Sequence, residues 1–265
     1  LQPPQPVTGY SHPRCYLSAT GDCSKKISRE HYISRTILQE FPRILVSGLR
    51  WQKLGEVLEP GIDAMTVKIL CSRHNSALSP LDALALRAFR AFIDAPYYVA
   101  FRRNPGKAAH YLVSGDALEL WMIKLMCGIY FGGVGSADGA AVRDTYKIDM
   151  ASIIAALTTG HVMPGAGLYV TQGPGQMAKK SVSVAPMNDT AKNETVGVSV
   201  GFGTLSFETL IVPPPDIAFR RMIKARRYRP GVIDFTGVSR DARVAITWRN
   251  QGNEINRLAL EIAPG

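Results

Sequence analysis

A chain of 265 residues, 46% hydrophobic and 20% charged, is long enough to bury a sizeable core, and no apolar run in it is long enough to span a bilayer as a helix, so no membrane partner is expected. Four cysteines are too few for a disulfide scaffold, and Leu1-Gln2-Pro3-Pro4-Gln5-Pro6 has neither the basic nor the apolar region of a secretory signal; reduced thiols and a cytoplasmic location are expected. The net charge of +10 and the pI near 9.6 point to a polyanionic partner, nucleic acid foremost.

In chain order, residues 1–13 are Pro-rich and expected to be extended. Residues 14–35 alternate short polar and apolar segments around Gly21-Asp22, which suits a knuckle followed by a short hairpin. Residues 33–41 open a helix that Pro42 ends. Short β-like runs at 43–46 and 66–70 flank the Glu59-Pro60-Gly61 turn. Ser79, Pro80 and Asp82 supply an N-cap, a first-position proline and a first-turn charge, so a helix is predicted from there. Its core face is Leu81, Leu84, Ala85, Ala88, Phe89 and Phe92. A second helix is predicted over 115–130, closed by Gly132-Gly133. Glu119 and Lys124 interrupt its apolar run, and Cys127 reads as a small core residue. A third, short helix is predicted at 145–158.

After residue 160 the chain turns to Gly, Val, Thr and Ser with frequent turn signals. Strands are predicted at 182–185, 195–200, 205–212, 232–235, 243–248 and 257–262, with a break at Pro213-Pro214-Pro215. Strands following helices, without alternation, predict an α+β chain. Its expected parts are a zinc-centred N-terminal module at 1–95, a helical segment at 96–160 and a β-rich domain at 161–265.

The chemistry concentrates in the first third. Cys15-x7-Cys23 and Cys71-x2-His74 are two local ligand pairs, the set a tetrahedral structural zinc site needs. The competing reading leaves Cys15 and Cys23 as ordinary thiols and His74 as a polar residue near a helix start. Between the pairs lies Glu30-His31, a histidine with an acidic neighbour. Basic residues surround it, Lys25, Lys26, Arg29 and Arg35 among them. A second basic stretch holds Arg220, Arg221, Lys224, Arg226, Arg227 and Arg229. The Gly173–Ser181 segment lacks the glycine a phosphate loop needs, and His110 and His161 have no partner at ligand spacing.

The order Cys…Cys, then Ser-Arg-Glu-His-Tyr-Ile-Ser, then Leu-Cys-Ser-Arg-His-Asn at a helix start resembles the HNH, or His-Me-finger, endonuclease module built on a treble-clef zinc site. The resemblance covers about residues 12–90; the chain is also similar to a group of uncharacterised bacterial proteins with this finger. It implies that His31 is the general base, that Glu30 and Asn75 bind a catalytic divalent cation such as Mg2+, and that Cys15, Cys23, Cys71 and His74 hold structural Zn2+. Lys25, Lys26, Arg29 and Arg35 would hold the phosphate backbone. The family usually has cysteine where this chain has His74, and the nearest carboxylate to complete the catalytic metal site is Asp82. The expected function is metal-dependent hydrolysis of nucleic-acid phosphodiesters, DNA before RNA. The alternative is a non-catalytic zinc-finger module that binds nucleic acid or protein.

Overall fold

The structure is a computed structural model that describes residues 3–53, 55–101, 108–137, 139–172, 181–214, 227–250 and 256–262. The chain begins with a loop that carries a short 3-10 turn, Ser18–Thr20. Strand β1 (Ile27–His31) follows, then α1 (Arg35–Leu38), a 3-10 turn at Ile62–Ala64, and strand β2 (Thr66–Cys71). Helices α2 (Ser72–Leu78) and α3 (Pro80–Phe101) lead to β3 (Ala109–Ser114) and the long α4 (Gly115–Gly132). Short elements β4 (Ser136–Ala137), β5 (Ala140–Ala141), α5 (Val142–Thr145) and β6 (Lys147–Ile148) precede α6 (Met150–Thr159). The remainder is strand: β7 (Gly167–Gln172), β8 (Val182–Asp189), β9 (Glu194–Phe202), β10 (Leu205–Leu210), β11 (Arg227–Tyr228), β12 (Val232–Thr236), β13 (Asp241–Thr247) and β14 (Arg257–Glu261). The chain is α+β, with a Cys/His cluster at its N-terminal end and a strand-rich C-terminal region.

Strands β1 and β2 pair antiparallel. The larger sheet runs β11-β7-β10-β9-β6, with β8 on β9, and the smaller runs β14-β12-β13-β3. A main core runs from Cys15 in the first loop to Ile262 beyond the last strand, and Tyr32, Leu38, Met65 and Val134 form a smaller second cluster. Helix α4 lies at the centre of the main core. Leu120, Trp121, Met122, Ile123, Leu125, Met126 and Cys127 are all buried, so the helix is enclosed on every side. It packs on α3, on β2 and on strands of both sheets. Where α3, α4 and the larger sheet meet, Phe89, Phe92, Trp121, Phe202 and Phe207 interlock, the closest pair with ring centroids 4.5 Å apart.

Several local expectations change. The hairpin does not close within residues 14–35: the partner of β1 is β2, across the long 32–65 insert. Residues 43–46 form no strand; only an isolated Val46–Leu58 bridge forms there. Ser79 is not an N-cap, because the helix has already begun at Ser72 and Ser79 keeps helical dihedrals. Its hydroxyl donates backward to the Ser76 carbonyl at 3.0 Å. Strand β3 lies in the stretch expected to be helical and pairs in parallel with β13. Ala-His-Tyr-Leu-Val-Ser is short and sits directly before a helix, which hid its period.

Candidate metal centre and a buried ammonium

The second ligand pair is placed by a strand-to-helix junction. Cys71 ends β2 and caps α2, and His74 lies in that helix's first turn. The first pair spans the opening loop, which Gly21 turns back with φ +66°. Cys15, Cys23, Cys71 and His74 are all buried, and their ligand atoms lie within 4.8 Å of one another. Nδ1 of His74 is 3.5, 3.6 and 3.2 Å from Sγ of Cys15, Cys23 and Cys71. Zinc bonds of about 2.3 Å to sulfur and 2.0–2.1 Å to nitrogen, at a tetrahedral angle, put those atoms about 3.6 Å apart. All four cysteines of the chain are free thiols. The Cys3His group can therefore hold a metal ion such as zinc.

The surroundings prepare each ligand. Nε2 of His74 lies 3.1 Å from the Thr20 hydroxyl, which spends its own proton on the Leu17 carbonyl at 2.8 Å. Thr20 Oγ1 can then only accept, so Nε2 carries the proton and Nδ1 presents its lone pair to the thiols. Burial, and Arg73 nearby, lower the His74 pKa and keep the ring neutral, as ligation requires. Burial also raises the Cys23 thiol, and pushes Cys15 up to about 12. At Cys71 burial is outweighed by the backbone N–H groups of His74 and Ser24, and its pKa is lowered.

A second cluster lies behind the hairpin. Glu30 is buried, and its carboxylate meets Lys124 Nζ of α4 at 2.7 Å. The same ammonium meets the Asp82 carboxylate of α3 at 2.6 Å. Burial raises the Glu30 pKa, against the pull of Lys124 and, more weakly, of Asn75 in α2. Glu30, which the resemblance offers for a catalytic cation, thus meets Asp82, the first-turn carboxylate of α3, and the cation between them is the Lys124 ammonium. Burial opposes a charge on Lys124, but the two carboxylates outweigh it and its pKa is raised. The Ser34 hydroxyl donates to Asp82 at 2.5 Å and accepts from Trp121 Nε1 at 2.7 Å, so the cluster is braced by α4 itself.

His31 follows Glu30 in β1, and successive side chains of a strand point to opposite faces. Its ring is half-buried, within the electrostatic reach of Arg35, Asp63, Asp82 and the Ile62 backbone, and its Nε2 is enclosed and unpartnered. Burial first, then Arg35, lower its pKa and keep it neutral. Lys25, Lys26, Arg29 and Arg35 are all exposed. Arg35 lies 3.8 Å from Asp63, an exposed pair of little strength.

The second basic stretch divides. Arg220, Arg221, Lys224 and Arg226 lie outside the described residues, as do 173–180 of the Gly-rich segment. Arg227 is exposed, whereas Arg229 turns inward and grips buried Glu119 of α4 through two bonds of 2.8 and 2.9 Å. Glu119 also accepts the Leu168 N–H at 2.7 Å. Sequence reasoning missed Thr20 and the partners of Lys124 and Glu119. The signal for the last two was present, since a charge inside an enclosed helix must find an opposite charge.

Compared with family models, with curated proteins and with solved structures, the chain matches none of them. The likeness to the HNH module therefore rests on the motif residues alone.

Proposed function

We propose that this chain is a metal-held, non-catalytic module that binds nucleic acid through the basic outer face of its hairpin. The observation that carries the reading is the Lys124 ammonium, 2.7 Å from Glu30 and 2.6 Å from Asp82. A catalytic Mg2+ would need those oxygens at about 2.0–2.1 Å and would have to displace a buried cation of the protein's own. The Lys124 ammonium already supplies, between these two carboxylates, the positive charge that such a cation would bring. What is left of the resemblance is a rigid scaffold. It presents Lys25, Lys26 and Arg29 to solvent, on a chain of net charge +10.

The test is an incubation with supercoiled plasmid and Mg2+ or Mn2+, read both for retardation and for nicking. Retardation that weakens steeply with salt, without nicking, is expected. Metal-dependent nicking that disappears in His31→Ala would overturn the non-catalytic reading in favour of a nuclease. An absence of retardation at low salt, of the plasmid and of a single-stranded oligonucleotide alike, would remove nucleic acid as the partner.

A further inference from the structure

A cleft of about 610 Å3 opens beside the hairpin, between the first loop, β2, the end of α4 and α5. Arg14, Lys68 and Arg143 line it, all three exposed, and no described carboxylate does. Arg14 Nη2 donates to the Lys68 carbonyl at 3.5 Å, and Arg143 Nη1 donates to the Phe131 carbonyl at 2.7 Å. Each guanidinium is thus tethered to a wall and keeps further N–H groups to offer. Among the described residues, neither Arg14 nor Lys68 pairs with a carboxylate. Arg143 has only Asp144, at 3.6 Å and half in water, a contact that solvent screens.

The wall between these cations is aromatic. Tyr16 and Phe131 stack with centroids 5.5 Å apart and planes 8° from parallel, Tyr16 buried and Phe131 only half so. A cationic rim would suit any phosphate. An accessible aromatic wall in a cleft of this size suits an unstacked base, because a duplex keeps its bases inside and cannot enter. We infer that this cleft is a binding site for single-stranded nucleic acid, with phosphates along Arg14, Lys68 and Arg143 and a base against Phe131. The inference rests on the nucleic-acid reading above and gives it a place and a strand state.

Fluorescence anisotropy of the metal-loaded full chain with labelled oligo(dT), and with a duplex of equal length, tests it across a salt series. The single strand should bind about tenfold or more tightly than the duplex, as one stacked base supplies. Lys68→Ala, an exposed change, should lower the salt slope by about 0.7, the share of one phosphate on a single strand. Phe131→Leu, which keeps an apolar side chain in the wall, should weaken the single strand about five- to hundredfold and leave duplex binding unchanged. Equal or tighter duplex binding overturns the inference. So does weakening by Lys25→Ala and Lys26→Ala with none from Lys68→Ala or Phe131→Leu; the broader reading then survives. If neither strand form binds, both fall.

Discussion

The molecule assembles two small clusters by the same construction and completes them differently. At the Cys3His corner, a loop, a strand end and a helix start bring three thiols and an imidazole within 4.8 Å, with no positive group of the chain among the four. Behind the hairpin, β1, α3 and α4 bring Glu30, Asp82 and Lys124 within hydrogen-bonding distance. The first cluster is a set of ligands that needs a cation from solution. The second carries its cation on a side chain. Ligand softness follows the same division: sulfur and imidazole for a borderline metal, carboxylates for a hard positive charge. A site is therefore read by counting the charges that come with it as well as the residues that converge.

The sharpest way to break this comparison is to remove a ligand from the first cluster. Cys71 belongs to the common core as well as to the metal set, so its loss should reach beyond the finger. Structural zinc contributes about 10–16 kcal/mol in finger peptides, as much as the whole stability of many domains. Cys71→Ala should take bound metal from one per chain to near zero, open the first loop and hairpin to protease and lower the thermal midpoint of the entire chain. Metal counted by mass spectrometry decides it. Full occupancy in the variant would show that the four residues are not a ligand set.

At the second cluster, Lys124→Met keeps the length of the side chain and deletes the ammonium. Two carboxylates then lose their partner, at a cost of about 3–5 kcal/mol in chemical denaturation. Adding Glu30→Gln should recover part of that cost, because the double variant no longer strands one of the charges. A cost below about 1 kcal/mol for Lys124→Met would mean that the ammonium is dispensable. The pH dependence has a definite sign. The Lys124 pKa lies above its ordinary 10.5 in the folded chain, so its stabilisation is complete below that pH and is lost as pH rises through the raised value. Lys124→Met should flatten the alkaline limb of the stability curve above about pH 10.5.

The two clusters differ in how far the sequence discloses them. Cys15 with Cys23, and Cys71 with His74, are local pairs, so short spacing announces each half and only their meeting is long-range. Glu30 also stands out, but its partner is far along the chain in α4. The trace Lys124 leaves is negative: a charge at a position whose neighbours are all core. Reading Glu119 and Lys124 only as interruptions of an apolar run, in a helix either buried or amphipathic, left open that α4 is enclosed on every side. An enclosed helix turns each such charge into a demand for a counter-charge. Strands β8, β9, β10, β12, β13 and β14 were legible in the sequence, whereas β3 and β7 were not. Nor was the order of the strands, since pairing β3 with β13 depends on how α3 and α4 pack.

The smallest expected effect tests how finely the first cluster is prepared. Thr20 holds His74 from outside the ligand set, and the hydroxyl can be removed at nearly constant volume by Thr20→Val. The turn itself should survive, because the Leu17 carbonyl also accepts the Thr20 N–H at 3.1 Å. What disappears is the acceptor for Nε2–H, together with a 3.3 Å contact from the Asp22 N–H. The imidazole is then free to rotate or to change tautomer, and its Nδ1 lone pair is no longer fixed on the thiols. Outer partners of this kind are worth about 10–100-fold in metal affinity. Competition with a chromophoric chelator should show that loss in Thr20→Val and near-native affinity in Thr20→Ser, which keeps the oxygen. Equal affinity in all three proteins would mean that packing alone orients His74, and that the corner needs only its four ligands.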